Sequence, residues 1–167
     1  MNDLVRRGLV NRMVGAAMLD VNTYEDVEAD GEATGQAAAV VALTAVAAAI
    51  GQLSLGPVAM VGQALASLVR WIVWAGITYV VGDKVFGGTA TWGELLRTLG
   101  FAQAPGLLAA AGFIPIVGNL VYLAIFPWML VTGVVAIRQA LDITTGKAIL
   151  TALIGLLPYL IVMAILF

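Results

Sequence analysis

The chain has 167 residues, 62% of them hydrophobic and 11% charged, with mean hydropathy +1.02. A soluble domain of this size carries about 25% charged residues, so this apolar excess is too large to hide in one core and argues against a soluble globular protein. Cysteine and histidine are absent and the net charge is −2, which removes disulfides, Cys/His zinc sites, thiolate nucleophiles, iron–sulfur ligation and any basic footprint for nucleic acid.

Residues 1–19 read as a short amphipathic helix. Leu4, Val5, Leu9, Met13, Ala16 and Ala17 fall near one face, and Asp3, Arg6, Arg7, Asn11 and Arg12 near the other. Asn11 and Arg12 interrupt the apolar run that a signal peptide needs, and no Ala-x-Ala site precedes the acidic stretch, so the segment is expected to be retained. From Asp20 to Glu32 the chain is acidic. Thr23 and Asp26 are spaced like a capping box opening a short helix, and Asp30-Gly31 supplies a turn.

Five apolar stretches follow, over about 36–55, 58–81, 92–113, 116–137 and 148–167. A helix needs about 20 apolar residues to cross a ~30 Å hydrocarbon layer. Four stretches meet this directly. The third meets it only with Glu94 and Arg97 at the interface, and whether it is one helix or two pieces around Pro105 stays open. Strand-like alternation is absent and runs such as 37–50 are apolar on nearly all sides, which argues against a β-barrel. The expected fold is all-α: a polytopic bundle of five transmembrane helices (35–167) behind a short amphipathic and acidic cytoplasmic segment (1–34).

Seven of the eight basic residues fall on one side of this topology: Arg6, Arg7, Arg12, Lys84, Arg97, Arg138 and Lys147. The positive-inside rule makes that side cytoplasmic, and an odd number of crossings puts the C-terminus on the other. These seven residues are candidate contacts for anionic lipid headgroups; for the N-terminal three, the alternative is a short helix docked on the protein's own loops.

The loops carry a family pattern. Tyr24-Glu25-Asp26-Val27 leads through 33–37 into the first span; Phe86-Gly87-Gly88 is followed by the run 95–105, ending in Gln103-Ala104-Pro105; Ile114-Pro115, Gly118, Trp128, 135–138, Ala140-Leu141 and Lys147-Ala148 come later. In order and spacing this resembles the Yip-domain family, five-span membrane proteins named for interaction with Ypt/Rab GTPases, in a compact prokaryotic form. For eukaryotic members the resemblance implies a cytosolic N-terminus, Rab-linked trafficking and membrane shaping. An Asp-Leu-Tyr-Gly-Pro-type tail segment is missing here, so direct Rab binding is not carried over. The location expected is a prokaryotic cytoplasmic membrane.

Arg70 is the eighth basic residue and lies near the middle of the second span, where a charge costs about 2.5–3.5 kcal/mol on insertion scales. Gln63 and Ser67 precede it on the same helical face and Trp74 follows. With Gln103, Asn119, Tyr122 and Tyr159 from other spans they form a candidate intramembrane polar site; the alternative is a structural clamp on backbone carbonyls or an arginine snorkelling to phosphate. Tyr24, Glu25, Asp26, Glu28 and Asp30 form a candidate partner-contact tail. The run 26–32 also mimics the start of an EF-hand loop, but Ala37 stands where the bidentate glutamate belongs, so a solvated acidic tail is the better reading. Asp83, Glu94 and Asp142 lie near basic residues as expected ion pairs, and the glycines at 51, 62, 76, 112, 133 and 155 are expected to allow close helix packing. No nucleophile–base set and no phosphate-binding glycine loop occurs, so no catalytic residue, cofactor or metal ligand is expected. Three functions remain: a non-enzymatic membrane organiser or scaffold recruiting an unknown partner, with a homo-oligomer allowed; a small channel or carrier centred on Arg70; and an accessory subunit of a larger membrane complex.

Overall fold

The computed structural model describes residues 8–52 and 56–166. Arg6 and Arg7 lie outside the described residues. Among these residues the chain forms seven α-helices and one 3-10 segment, with no strand: α1 (Leu9–Ala17), α2 (Val21–Ala29), α3 (Ala33–Gln52), α4 (Pro57–Phe86), α5 (Trp92–Phe101), the 3-10 segment Ala104–Phe113, α6 (Val117–Leu141) and α7 (Thr145–Leu166). Four helices, α3, α4, α6 and α7, are long and apolar enough to cross a membrane.

The third expected span departs from the other four. It occupies the expected 92–113 but is not one helix. Thr91 caps α5 with Glu94 in a reciprocal capping box, a signal present in the sequence as Thr-x-x-Glu. The α-helix then stops at Phe101, and Pro105, which has no N–H to give, sits in the first turn of the 3-10 segment. Ten residues is long for 3-10 geometry. Packing explains its persistence: a β-carbon on Gly100 would sit 2.7 Å from the Ala37 methyl, one on Gly106 would touch Thr44, and one on Gly51 would overlap the Ala109 carbonyl. These pairs ascend together along both chains, so 92–113 lies beside α3 and runs in the same direction. Ten α-helical and ten 3-10 residues reach about 35 Å end to end.

Other boundaries shift for local reasons. Of the polar break expected over Asp83, Lys84 and Gly87-Gly88, the two charges lie inside the last turn of α4, and the glycines end it, Gly87 taking the left-handed conformation (φ 68). Asp83 and Lys84 pair there at 2.7 Å. α2 opens at Val21 with Asp20 as its cap, rather than at Thr23. At the N-terminus the two short helices expected are present, and the docked alternative is the one observed: α1 and α2 form a helical hairpin packed where α3, α5 and α6 meet. The best-buried side chains concentrate there, Tyr24, Val27, Leu95, Phe101, Ile137 and Leu141, while α4, α6 and α7 leave most of their apolar surface outward.

Candidate functional site

Arg70 opens into a half-enclosed cavity of about 300 Å³ among α4, the junction between α5 and the 3-10 segment, α6 and α7. Its charged and polar lining is Ser67, Arg70, Gln103 and Tyr159, and no carboxylate lines it. Ser67, one turn before Arg70, accepts a hydrogen bond from the guanidinium at 2.9 Å. Two tryptophans on the same helix give firm walls. Trp71 donates through Nε1 to the Leu96 carbonyl at 3.0 Å, and Trp74 meets Tyr159 edge to face at 5.0 Å. Gln103 enters because the α-helix breaks just before it. Gly133 supplies the α6 wall without a side chain, and a β-carbon there would meet nothing within 4 Å.

Four of the seven residues expected at this site therefore converge: Ser67, Arg70, Gln103 and Tyr159. Gln63 lies a turn further along α4, outside the lining. Asn119 is exposed in the first turn of α6, and Tyr122 packs against Gly51 and Gly112. The lining of the cavity is chemically suited to an anion. A guanidinium offers planar, forked donors suited to phosphate or carboxylate oxygens, and a bound anion offsets the cost of holding that charge at the depth of a span.

A second polar cluster holds the hairpin. Arg12 is 2% exposed; its Nε donates to Asp26 at 3.0 Å, one terminal nitrogen to Asp30 at 2.8 Å and the other to Gln36 of α3 at 3.1 Å. Burial alone would weaken the proton's hold on this guanidinium, but the hydrogen bonds and charges of Asp30 and Asp26 outweigh it and raise the pKa. Arg97 is 9% exposed and donates to the carbonyls of Val27 and Glu28. These are among the last carbonyls of α2, which have no partner within the helix, so a cation there satisfies both hydrogen bonding and the helix dipole. Expected at the lipid headgroups, Arg12 and Arg97 are instead spent inside the protein. Lys84, Arg138 and Lys147 remain exposed, with the Lys147 ammonium donating to the Phe86 carbonyl at 3.2 Å.

The tail residues also differ from a free acidic segment. Tyr24 is fully buried, and its hydroxyl lies 3.0 Å from the Ala16 carbonyl and 3.3 Å from that of Thr132; burial raises its pKa and keeps the phenol neutral. Asp26, in α2, and Asp30, the residue just past its end, face Arg12, and most of the run 26–32 belongs to α2 or the turn after it rather than to a calcium loop. Glu25 meets Gln139 at 3.3 Å. Glu28 is pushed up to about 7 by partial burial and by the nearby charges of Asp142, Glu94 and Glu25, against the lowering influence of Arg97. The α6 residues Trp128, met above only as part of the family pattern, and Thr132, not singled out in the sequence, join the hairpin and α5 to α6. Trp128 donates to the Ala17 carbonyl at 2.7 Å, and the Thr132 hydroxyl donates to the Ala102 carbonyl at 2.7 Å, where the end of α5 frees it.

The family model described as the Yip1 domain matches residues 19–167. No curated protein and no solved structure matches the chain.

Proposed function

The chain belongs to the Yip1 domain family, and on that premise we propose that it is a non-enzymatic integral membrane protein that organises its membrane by seating the anionic headgroup of a lipid in the Arg70 cavity. The observation that carries this reading is a single guanidinium with Ser67, Gln103 and Tyr159 in a cavity of about 300 Å³ that no carboxylate lines. The cavity lies between apolar helices whose outer faces are exposed, so a ligand with an acidic head and an apolar body fits it better than a free solute.

In this reading the chain crosses the membrane five times. The side-by-side, same-direction course of 92–113 and α3, and its reach of about 35 Å, support a third crossing built from an α-helix and a 3-10 segment. Lys84, Arg97, Arg138 and Lys147 gather at one end with the hairpin, which favours a cytoplasmic N-terminus and a C-terminus opposite, in a prokaryotic inner membrane. A peripheral partner or a second copy would meet the exposed acids of that end, Glu25 and Glu32.

Native mass spectrometry of the full chain in bilayer nanodiscs of mixed zwitterionic and anionic lipid tests the reading. Anionic lipids are expected to stay bound through detergent exchange. Arg70→Leu is expected to cut their occupancy about tenfold or more, since a charge-assisted hydrogen bond contributes about 1.5–3 kcal/mol. Equal retention of zwitterionic and anionic lipids by the wild type, or unchanged retention by Arg70→Leu, would refute it. Anion flux into liposomes that is lost in Arg70→Leu would favour the carrier reading instead.

A further inference from the structure

Among the described residues, the outer edge of the N-terminal hairpin is apolar and unpartnered. On α1, Val10, Val14 and Met18 recur at helical spacing and are 69%, 57% and 71% exposed, and Leu19 continues the edge at the turn. In a cytosolic tail this edge would face water. Its place along α6 says otherwise. Trp128, whose indole holds the Ala17 carbonyl, lies thirteen residues before the end of α6 at Leu141, about 20 Å along the axis. Helical side chains lean toward their helix's N-terminus, so the indole reaches deeper rather than shallower. Thr132, whose carbonyl lies beside the Tyr24 hydroxyl, is about 14 Å from the same end. The polar boundary of α6 is marked by Arg138 and Gln139. The turn between α1 and α2 therefore sits roughly 10–15 Å inside that boundary, about one leaflet of a ~30 Å core.

Polarity along the hairpin follows the same gradient. Arg12, Asp26 and Asp30 cluster level with Gln36 in the first turn of α3, away from the turn. The single carboxylate at the turn, Asp20, is engaged internally, accepting from the Asn22 backbone N–H and side-chain amide and from the Thr23 hydroxyl. At the turn Leu19 adopts the left-handed conformation usually given to glycine (φ 63). A β-carbon is strained there, and the residue that bears the strain adds apolar surface at the tip. On the same helix, Leu123, Phe126, Leu130 and Val131 are likewise exposed, as a spanning helix that turns apolar side chains to lipid requires.

We propose that the α1–α2 hairpin is a wedge seated in one leaflet, the one at the basic end of the bundle, with Val10, Val14, Met18 and Leu19 against acyl chains. This rests on the reading that α6 crosses the membrane, and the test separates the two. The natural absence of cysteine allows single spin labels on the full chain in lipid vesicles, at Val10→Cys, Val14→Cys and Met18→Cys. Leu123→Cys serves as the lipid-facing reference and Glu32→Cys as the aqueous one. Collision with oxygen, which concentrates in lipid, is compared with collision with a water-soluble nickel chelate. The three hairpin labels are expected to match Leu123→Cys, with an oxygen-to-nickel ratio several-fold above that of Glu32→Cys. Nickel access at the hairpin beside a shielded Leu123→Cys would overturn the wedge alone. Shielding of the hairpin from both collision partners would also overturn it, by showing protein on the edge. Nickel access at Leu123→Cys would overturn the crossing and the wedge together.

Discussion

Replacing Arg12 by alanine strands two carboxylates between α1 and α2. The arginine side chain is 2% exposed, while Asp26 and Asp30 are 34% and 23% exposed, so the charges left behind are poorly but not wholly dehydrated. Breaking a buried ion pair from one side costs about 3–5 kcal/mol, and the partial hydration of the acids brings the expected cost to about 2–4 kcal/mol. That is roughly a 30- to 1,000-fold rise in the population with the hairpin undocked. Hydrogen exchange followed by mass spectrometry on the reconstituted full chain reads this directly: amides of residues 9–30 are expected to lose protection while those of α4 and α7 keep theirs. The charge argument makes a second demand. Arg12→Met combined with Asp26→Asn and Asp30→Asn removes every stranded charge and should recover most of the protection, because a neutral replacement of a whole buried cluster is often close to cost-free. If Arg12→Ala leaves exchange at 9–30 unchanged, or if the triple variant exchanges as fast as Arg12→Ala, the clamp is not what holds the hairpin.

The elevated Glu28 carboxyl gives a pH dependence with a definite sign. A pKa of about 7 in the fold, against the ordinary 4.5, means docking of α2 is favoured at low pH and loses stability as pH rises from about 4.5 through about 7; after discounting for solvent screening the change is about 1–2 kcal/mol, and Glu28→Gln should flatten it in the same exchange assay run from pH 5 to pH 8. Gly133→Leu fills the Arg70 cavity from α6 without touching Arg70; helix propensity favours the change by about 1 kcal/mol, so melting temperature should hold while retention of anionic lipid falls as it does in Arg70→Leu. Gly51→Val drives a side chain into the Ala109 carbonyl, which is backbone and cannot rotate away, and should cost about 3 kcal/mol or more, read as a lowered melting temperature; Gly62→Val, where a β-carbon meets nothing within 4 Å, should not.

Hydropathy located the four long apolar helices, α3, α4, α6 and α7, because each is a run long enough to cross lipid, and that property is local. What ended them was not. The charges of Asp83 and Lys84 read as the start of a break that Gly87-Gly88 completes, yet a helix tolerates an ion pair in its last turn and stops only at the left-handed Gly87. The proline at 105 was visible, but the ten-residue 3-10 course after it depends on glycines meeting α3 across the bundle. The same distinction governs the polar residues. Ser67 beside Arg70 follows from helical spacing alone. Gln103 and Tyr159 join them only through tertiary packing, which equally leaves Gln63, Asn119 and Tyr122 elsewhere. Arg12 looked like a lipid contact because it stands on the polar face of an amphipathic helix. Its partners lie 14, 18 and 24 residues away, separations that no periodicity links.

The hairpin and the cavity share a wall, and this constrains how the protein can work. The Tyr24 hydroxyl lies beside the Thr132 carbonyl, the Thr132 hydroxyl donates to the Ala102 carbonyl, and Ala102 and Gln103 line the cavity. On the opposite side of α5, Arg97 caps α2 while the Leu96 carbonyl holds Trp71 next to Arg70. Helix α5 is thus gripped by the hairpin through one set of groups and forms the cavity through the next. A coupling free energy between two sites acts equally in both directions. Under the two proposals above, an anion that draws Gln103 and Arg70 together would fix the position of α5 against α2, and a hairpin lodged in lipid would fix the same wall for the anion. On the hairpin side these contacts are direct hydrogen bonds made by Tyr24, Arg97 and Thr132, all of them buried, so a displacement of the hairpin is passed to α5 rather than absorbed.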